Sequence, residues 1–540
     1  SFARTLPKKG NIAFLSQSGA LGTAVLDMAA GIGVGFSKFV SLGNKALLDE
    51  AALLEYFAHD RKTKVIAIYA EGLRHPEMIR EAARKMSRAK HPKPIIVLKS
   101  GKTSAGASAL SSHTGSLAGN DASYEALFEE AGILRVETAE DLFLLARAFS
   151  LAPLPVGNNV AIVTNAGGPG VLSADAAVGA GLSLAMLSNE TTTELKTFLP
   201  SASSTKNPID ILGDAKSDRY ARSLDLVLAD SSVHMALVVL TPQSMTDVEE
   251  IAANIVESAG KAKKPVVAAF MGGKLVASGV KILLRKKIPV VSFPEDGIRM
   301  LSALATFSLS RKEEVAVEYS YSTLTTPEAI DRKKAETIFQ TVKTSGRTAL
   351  SPIETLNLFS VYGFPIPNYG RATTAEEAER VASGIGVPCA MKILSENITH
   401  KSDAGGILLN VAPERAGEAF DTLMDRVKSM APEAHIDGAL LMEMAPKGGI
   451  ELIAGSFRDP NLGQTLMVGS GGIYVEILKD AAFGLVSVSH DRARALLEKL
   501  RLGVRTDMVR HRAQIEVVLV AQEEARHLLV PLGLPQTVLF

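Results

Sequence analysis

Short apolar runs recur along the first three hundred positions, each followed by a longer stretch with helical spacing. IAFL (Ile12–Leu15), VIAIYA (Val65–Ala70) and PIIVL (Pro94–Leu98) read as strands, and LLDEAALLEYFA and HPEMIREAARKM between them read as helices. Regular alternation of this kind predicts a parallel, doubly wound sheet with right-handed crossovers. The segment LAPLPVGNN (Leu151–Asn159), with its prolines and asparagines, reads as a linker. The pattern then restarts with VAIVT (Val160–Thr164), ALVVLTP (Ala236–Pro242), PVVAAF (Pro265–Phe270) and PVVSF (Pro289–Phe293). A polar stretch, RKEEVAVEYSYSTLTTPEAIDRKKAE (Arg311–Glu336), closes this second α/β region. From about Ala335 a helix-rich opening gives way to glycine-rich β segments, an α+β pattern. The expected organisation is therefore two α/β domains over 1–152 and 153–315, a linker over 316–334, and an α+β nucleotide domain over 335–540.

Two segments are near copies of each other. NIAFLSQSGALG (Asn11–Gly22) and NVAIVTNAGGPG (Asn159–Gly170) each run from an apolar strand through a turn of small residues into a helix-like stretch. Such a turn leaves unpaired backbone N–H groups at the positive end of a helix, which is a place for an anion. The pair predicts a phosphate held between two helix ends, with Ser18, Gly19 and Ala20 on one side and Gly167, Gly168 and Gly170 on the other. In a doubly wound sheet ligands sit beyond the carboxyl ends of the strands. The Ser16–Gly22 turn, Glu71 and the loop after Lys99 all fall there.

Composition narrows the field. The chain has 540 residues, with 58 basic and 58 acidic side chains, so no net field favours nucleic acid or an anionic membrane. Any anion site must come from local backbone N–H groups. A single cysteine, Cys389, excludes an intrachain disulfide and a cysteine-cluster metal site, and fits a reducing cytoplasm. No apolar run approaches the ~18 residues needed to span a bilayer.

His113 lies in SSHTGSLAGN (Ser111–Asn120), read as a small-residue loop able to move, and Asp121 reads as the cap of the helix that follows. A neutral imidazole is a competent nucleophile near neutral pH. The alternative is an exposed loop histidine with no role. Glu71 ends the strand VIAIYAEG, where its carboxylate could accept the other imidazole N–H; alone it is equally a solvated strand-end acid. Lys392, on an apolar strand before a histidine and a glycine pair, suits a phosphate-facing cation, or else a snorkelling edge lysine. Glu443 and Met444, in LLMEMAPKGGIELIAGSF, could form an adenine-contacting hinge through main-chain groups. Glu451, Asp459 and Glu476 supply carboxylates for Mg2+, with solvated strand faces as the alternative.

Taken in order, FLSQSGALG, IYAEG, SSHTGSLAG, TNAGGPG, NPIDILGDA, MKILS, THKSDAGG and GSGGIYVEILKD resemble the motifs of the NDP-forming acyl-CoA synthetases, relatives of succinyl-CoA synthetase, in their fused form. The resemblance covers about Lys8 to Asp480. It implies two flavodoxin-like, succinyl-CoA synthetase-like domains followed by an ATP-grasp domain. It implies a reversible acid–thiol ligase in which a carboxylate, CoA and ATP give acyl-CoA, ADP and phosphate through an acyl phosphate. His113 would relay the phosphoryl group, Glu71 would steady the phosphohistidine, and the two helix ends would cradle its phosphate. Lys392, Glu443, Met444, Glu451 and Glu476 would belong to the nucleotide site, and His400 would take the phosphoryl group second. ATP or ADP, Mg2+ and CoA are the implied cofactors and substrates, in a cytoplasmic enzyme that forms a homo-oligomer (a dimer) or draws on a separate CoA-binding domain.

Two departures accompany the resemblance. The family's CoA-binding domain is expected ahead of Ser1, and the tail after about Leu502 has no acidic-x-Asn-Pro segment of the kind that binds Mg2+. These keep two alternatives in view: a non-catalytic or regulatory nucleotide-binding paralogue, and the synthetase-like part of a protein acetyltransferase.

Overall fold

The computed structural model describes residues 7–31, 34–43, 45, 47–114, 119–316, 331–364, 366–398, 401–445, 452–471, 480–485, 490–500 and 538–539. Contacts divide the chain into two compact units: Ser1–Ser320 with Pro460–Leu462, and Tyr321–Asp459 with Gly463–Phe540.

The first unit holds two parallel sheets. In the first, β1 (Lys9–Ser16), β2 (Phe36–Ser41), β3 (Val65–Ala70), β4 (Ile95–Lys99) and β5 (Leu134–Val136) lie in the order β2-β1-β3-β4-β5. The helices between them are α1 (Gly19–Gly31), α2 (Glu50–His59), α3 (Pro76–Arg88), α4 (Ser104–Thr114) and α5 (Asp121–Ala131), and α6 (Ala139–Leu151) follows β5. Strands covered by helices on both faces read as continuous apolar runs, and Val65 to Ile68 are all buried. Asn120, rather than the expected Asp121, caps α5: its side chain accepts the Ala122 N–H at 3.0 Å, and Asp121 becomes the first helical residue.

In the second sheet, β6 (Asn159–Thr164), β9 (Met235–Leu240), β10 (Val266–Phe270) and β11 (Val290–Val291) run β11-β10-β9-β6, with β7 (Ser183–Leu184) beyond β6 and β8 (Ile209–Asp210) also paired to it. Helix α7 (Gly167–Gly179) leaves the end of β6. One apolar core runs through both sheets, joining Phe14, Val65 and Phe143 to Val160, Leu237 and Leu304. Arg147 of α6 reaches across to donate to the Val290 carbonyl at 2.6 Å. The helix Pro294–Ala316 extends into the polar stretch expected to open the linker, and a new helix begins at Arg332.

The second unit is α+β. One antiparallel sheet has the order β12-β15-β13-β14, from β12 (Tyr369–Ala372), β13 (Cys389–Leu394), β14 (Ile407–Val411) and β15 (Gly438–Glu443). The other has the order β18-β17-β16-β19, from β16 (Leu452–Asp459), β17 (Gly463–Ser470), β18 (Ala481–Leu485) and β19 (Val538–Leu539). Helices Ala375–Ile385 and Ala416–Met430 cover the first sheet, burying Ala382 and Phe420 against Met391 and Leu441.

Candidate functional site

The two copied segments fold alike down to single hydrogen bonds. The last residue of β1, Ser16, donates from its hydroxyl to the Ser18 carbonyl at 2.7 Å and accepts the Ser18 N–H at 3.2 Å. The last residue of β6, Thr164, does the same with Ala166, at 2.9 and 3.0 Å. Both hydroxyl residues are fully buried, so each bond shapes its turn away from water. The chain then turns outward, and Gly19 and Ala20, like Gly167 and Gly168, are exposed. In the first helical turn the Leu21 N–H is taken by the Ser18 hydroxyl and the Gly22 N–H by the Ser18 carbonyl. In the second, Gly170 donates to the Ala166 carbonyl and Pro169 has no N–H. The N–H groups of Gly19, Ala20, Gly167 and Gly168 are thus left without a protein partner among the described residues, at the positive ends of two helices of 13 residues each.

Not every residue expected to cradle phosphate faces outward. Gly170 is buried, and a Cβ there would meet Thr164 Cγ2 at 3.0 Å, so its lack of a side chain serves strand–helix packing. Gly22 is its twin: a Cβ there would meet the Phe39 ring at 3.1 Å. Ser18 is the cap of α1. A Cβ on Gly167 would come within 3.2 Å of Asp210 Oδ2, which brings a carboxylate beside the second cup.

Sheet order sets the neighbours of the first cup. Strands β1, β3 and β4 are adjacent and parallel, so the residues beyond Ser16, Ala70 and Lys99 emerge side by side. Glu71 is the first residue beyond β3, half-buried, and its carboxylate has no partner among the described residues. Its backbone N–H and that of Gly72 (3.1 Å) both donate to Gln17 Oε1. Past Lys99, the expected loop is partly helical. Backbone residues Ser111 to Thr114 complete α4, so His113 sits in the last turn of a helix. The run SAGASAL carries alanine and no proline, and propagates a helix where small size alone had suggested a loop. The His113 side chain lies outside the described residues, as does His400.

In the second unit, Lys392 lies on β13 between Ile407 of β14 and Leu440 of β15. Burial, and then the like charge of Lys392, push Lys401 below the ordinary lysine range. Neither lysine has a carboxylate partner among the described residues, so two cations share one place. Lys401 was not singled out from sequence; its spacing from Lys392 crosses a turn that periodicity does not reveal. Glu443 ends β15, and its carboxylate accepts from the Asn368 side chain at 2.9 Å while its N–H donates to the Asn368 carbonyl at 2.8 Å. The Met444 N–H donates to the Pro388 carbonyl at 3.4 Å. The main-chain donors expected at an adenine hinge are therefore engaged within the protein. Asp459 is buried at the hairpin end of β16, opposite Gly463 and about 23 Å along the strand from Leu452 by strand rise. Among the described residues Asp480 lies near the Leu452 end: it accepts from the Ser470 hydroxyl at 2.7 Å, and Ser470 pairs with Leu452. Glu451 and Glu476 lie outside the described residues. Among the described residues no three His, Cys, Asp or Glu converge as metal ligands.

Three families match the chain in succession: the Succinyl-CoA ligase like flavodoxin domain over residues 9–149, the Ligase-CoA domain over 160–311 and the ATP-grasp domain over 341–524. The chain is 40% identical to acetate–CoA ligase [ADP-forming] I of Archaeoglobus fulgidus, over 93% of this chain and 70% of that protein. It is 38% identical to 4-hydroxybutyrate–CoA ligase [ADP-forming] of Nitrosopumilus maritimus, over 94% and 72%. Among solved structures, dinucleotide-forming acetyl-coenzyme A synthetase 1 of Ca. Korarchaeum cryptofilum, in complex with phosphate and ADP, superposes with a TM-score of 0.56 at 37% identity, over 59% of this chain and 69% of that one.

Proposed function

The chain belongs to the ADP-forming acyl-CoA ligases, and on that footing we propose how its own residues divide the reaction. It is an enzyme that joins a carboxylate to the thiol of CoA as ATP becomes ADP and phosphate, reversibly, through an acyl phosphate and a phosphohistidine. A carboxylate is a poor electrophile, so a leaving group must be installed before a thiolate can attack. In this reading an imidazole nitrogen of His113 attacks the γ-phosphorus of ATP and releases ADP. A substrate carboxylate oxygen then takes the phosphoryl group from His113, restoring the free imidazole. The CoA thiolate attacks the acyl carbon and expels phosphate.

The observation that carries this assignment is the repeated cup. On four exposed residues, Gly19, Ala20, Gly167 and Gly168, N–H groups without a partner among the described residues offer donors to phosphate oxygens without a net positive surface. Glu71, beside the first cup, would accept the second imidazole N–H and hold the reactive tautomer. His400 would serve as a second phosphoryl acceptor. Lys392, with Lys401, would hold the nucleotide phosphates, Glu443 and Met444 would border the base, and Glu451 and Glu476 would supply carboxylates near it. Mg2+ supplies charge neutralisation to the phosphates when bound. Of the carboxylates proposed for it, Asp459 stands a strand's length from the Leu452 end, where Asp480 lies instead. A CoA-binding domain, carried on the same or another chain, and self-association into a dimer belong to this reading. So does a cytoplasmic setting; among the described residues no helix is long and apolar enough to cross a membrane.

The test is incubation with γ-labelled ATP and Mg2+. Acid-labile, base-stable label on the natural protein and none on His113→Ala is the expected result. Equal label on both overturns the role of His113.

A further inference from the structure

We propose that Gln17 is a positioning residue that ties the backbone of Glu71 to the first phosphate cup and so sets where its carboxylate starts. The inference rests on the assignment of Glu71 made above and adds the device that sets its place. Gln17 stands between the buried Ser16 and the helix cap Ser18, and so belongs to the cup's own backbone. Its side-chain carbonyl accepts two consecutive N–H groups, those of Glu71 and Gly72. Its main-chain N–H donates to the Tyr69 carbonyl at 3.2 Å. One residue thus binds the end of β3 through both main chain and side chain. Two donors meeting at one acceptor fix the peptides on either side of the Glu71 Cα, and with them the starting point of the Glu71 side chain.

The next peptide, Gly72–Leu73, is held as well. Lys45 donates from Nζ to the Gly72 carbonyl, and its charge is matched by Glu50 at 2.7 Å. The side chains of this pair are 5% and 0% exposed. Gly72 is therefore gripped at its N–H by Gln17 and at its carbonyl by Lys45. A carboxylate meant to meet an imidazole that arrives and departs must already stand in place, because a misplacement of about 1 Å costs on the order of 100-fold in rate.

The second copied segment supplies an independent instance. Asn165, the residue equivalent to Gln17, accepts the Thr241 N–H at 2.9 Å and the Thr241 hydroxyl at 3.1 Å, and donates to the Thr241 carbonyl at 2.8 Å. Thr241 is the first residue beyond β9, as Glu71 is the first beyond β3. An amide side chain that ties the cup to the neighbouring strand end therefore recurs where the strand sequences differ. What differs is what the amide oxygen accepts: two main-chain N–H groups at the first cup, from Glu71 and Gly72, and an N–H and a hydroxyl of one residue, Thr241, at the second. The clamp is common to both turns, and the chemistry it presents is specific to each.

The experiment measures labelled phosphohistidine formed from γ-labelled ATP and Mg2+ in the full chain, for Gln17→Met, Glu71→Gln and the double variant. Methionine keeps the length and volume of glutamine and removes the acceptor. We expect Gln17→Met to lower the label at least fivefold with its thermal unfolding midpoint within a few degrees of the natural protein. We expect the double variant to be no worse than Glu71→Gln alone, because a positioning residue has nothing left to position. If Glu71→Gln itself labels like the natural protein, the reading of Glu71 falls and this inference with it. If Glu71→Gln is impaired and Gln17→Met is not, only the inference falls. Separate losses that multiply in the double variant would mean that Gln17 acts through the fold and not through Glu71, which also overturns it.

Discussion

Lys45 Nζ lies 2.7 Å from Glu50 Oε1, and both side chains are sealed from water. Burial pushes the Glu50 carboxyl up and the Lys45 ammonium down, so each charge persists only because the other is there. Lys45 also holds the Gly72 carbonyl from a left-handed backbone, with φ of 57°. Removing one partner strands a charge in a dry site, which costs about 3–5 kcal/mol. Lys45→Met and Glu50→Leu should each lower the unfolding midpoint of the first unit sharply. The double variant Lys45→Met with Glu50→Leu should recover most of that loss, because no lone charge remains. Thermal unfolding of the three variants checks this, and a double variant as unstable as the sum of the singles would refute it.

A second ion pair contributes to the acid response of the second unit. Arg347 grips both carboxylate oxygens of Glu354, at 2.8 and 2.7 Å, and Glu354 also accepts the Ser351 N–H at 2.7 Å in a capping box. The Arg347 bonds first, and then the Ser351 N–H, hold the Glu354 carboxyl down from 4.5 to about 2. A carboxyl depressed in the folded state contributes stability that is fully present above its unfolded pKa. That contribution is lost as pH falls through the folded pKa. The window therefore runs from about pH 4.5 down to about pH 2. The pair is half-buried, so solvent screening leaves a contribution on the order of 1–2 kcal/mol near neutrality. Glu354→Gln should be less stable than the natural protein at pH 7, and the gap should close across that window. Denaturant titrations of both proteins at pH 7, 4 and 3 measure it; a constant gap would show that the charge is not the cause.

Much of this was legible in the chain itself, and the failures have physical causes. Strands β1, β3 and β4 announce themselves because both faces are covered and nearly every position must be apolar. Strand β2, FSKFVS, escaped notice because it is the sheet edge, where Ser37 and Lys38 are only half-buried. Strands β7 and β8, two residues each, are too short to show any period. The copied turns could be read because their glycines punctuate the pattern. The contribution of Gln17 could not, since its partners come from a strand more than fifty residues away and its identity matters only through a hydrogen bond. The faint signal was an amide at the same place in both copies, Gln17 and Asn165. Sequence proximity grouped Asp459 with Glu451, and it hides the length of the strand that lies between Leu452 and Asp459.

The second cup separates packing from phosphate contact at neighbouring glycines. A Cβ on Gly168 meets nothing within 4 Å, whereas one on Gly170 meets Thr164 Cγ2 at 3.0 Å. Gly168→Val should therefore leave stability within about 1 kcal/mol, in line with ordinary helix propensities. Its branched side chain would nonetheless screen the exposed N–H groups, so labelled phosphohistidine should drop several-fold. Gly170→Val should instead destabilise the first unit, because a buried threonine must give way. Thermal unfolding and phosphorylation measured on the same two preparations decide it, and equal effects of the two substitutions on both readouts would contradict the division.

The two lysines of the second unit make a prediction about salt. Lys401 is held below the ordinary lysine range by burial first and by Lys392 second, and neither has a carboxylate partner among the described residues. Two like charges left facing each other are relieved when an anion enters between them, and the nucleotide triphosphate is the anion proposed here. Removing one lysine loses a charge-assisted contact but also relieves the repulsion, so the loss should be moderate: about tenfold in nucleotide affinity for Lys401→Met, or ~1.4 kcal/mol. Removing both should cost more than either alone. The affinity of the natural protein for ADP should fall between low and moderate salt, and the double variant should lose most of that dependence, because the two cations assigned to the phosphates would be gone. Calorimetric titration of ADP at two ionic strengths measures both effects. An ADP affinity unchanged in the double variant would remove Lys392 and Lys401 from the nucleotide site.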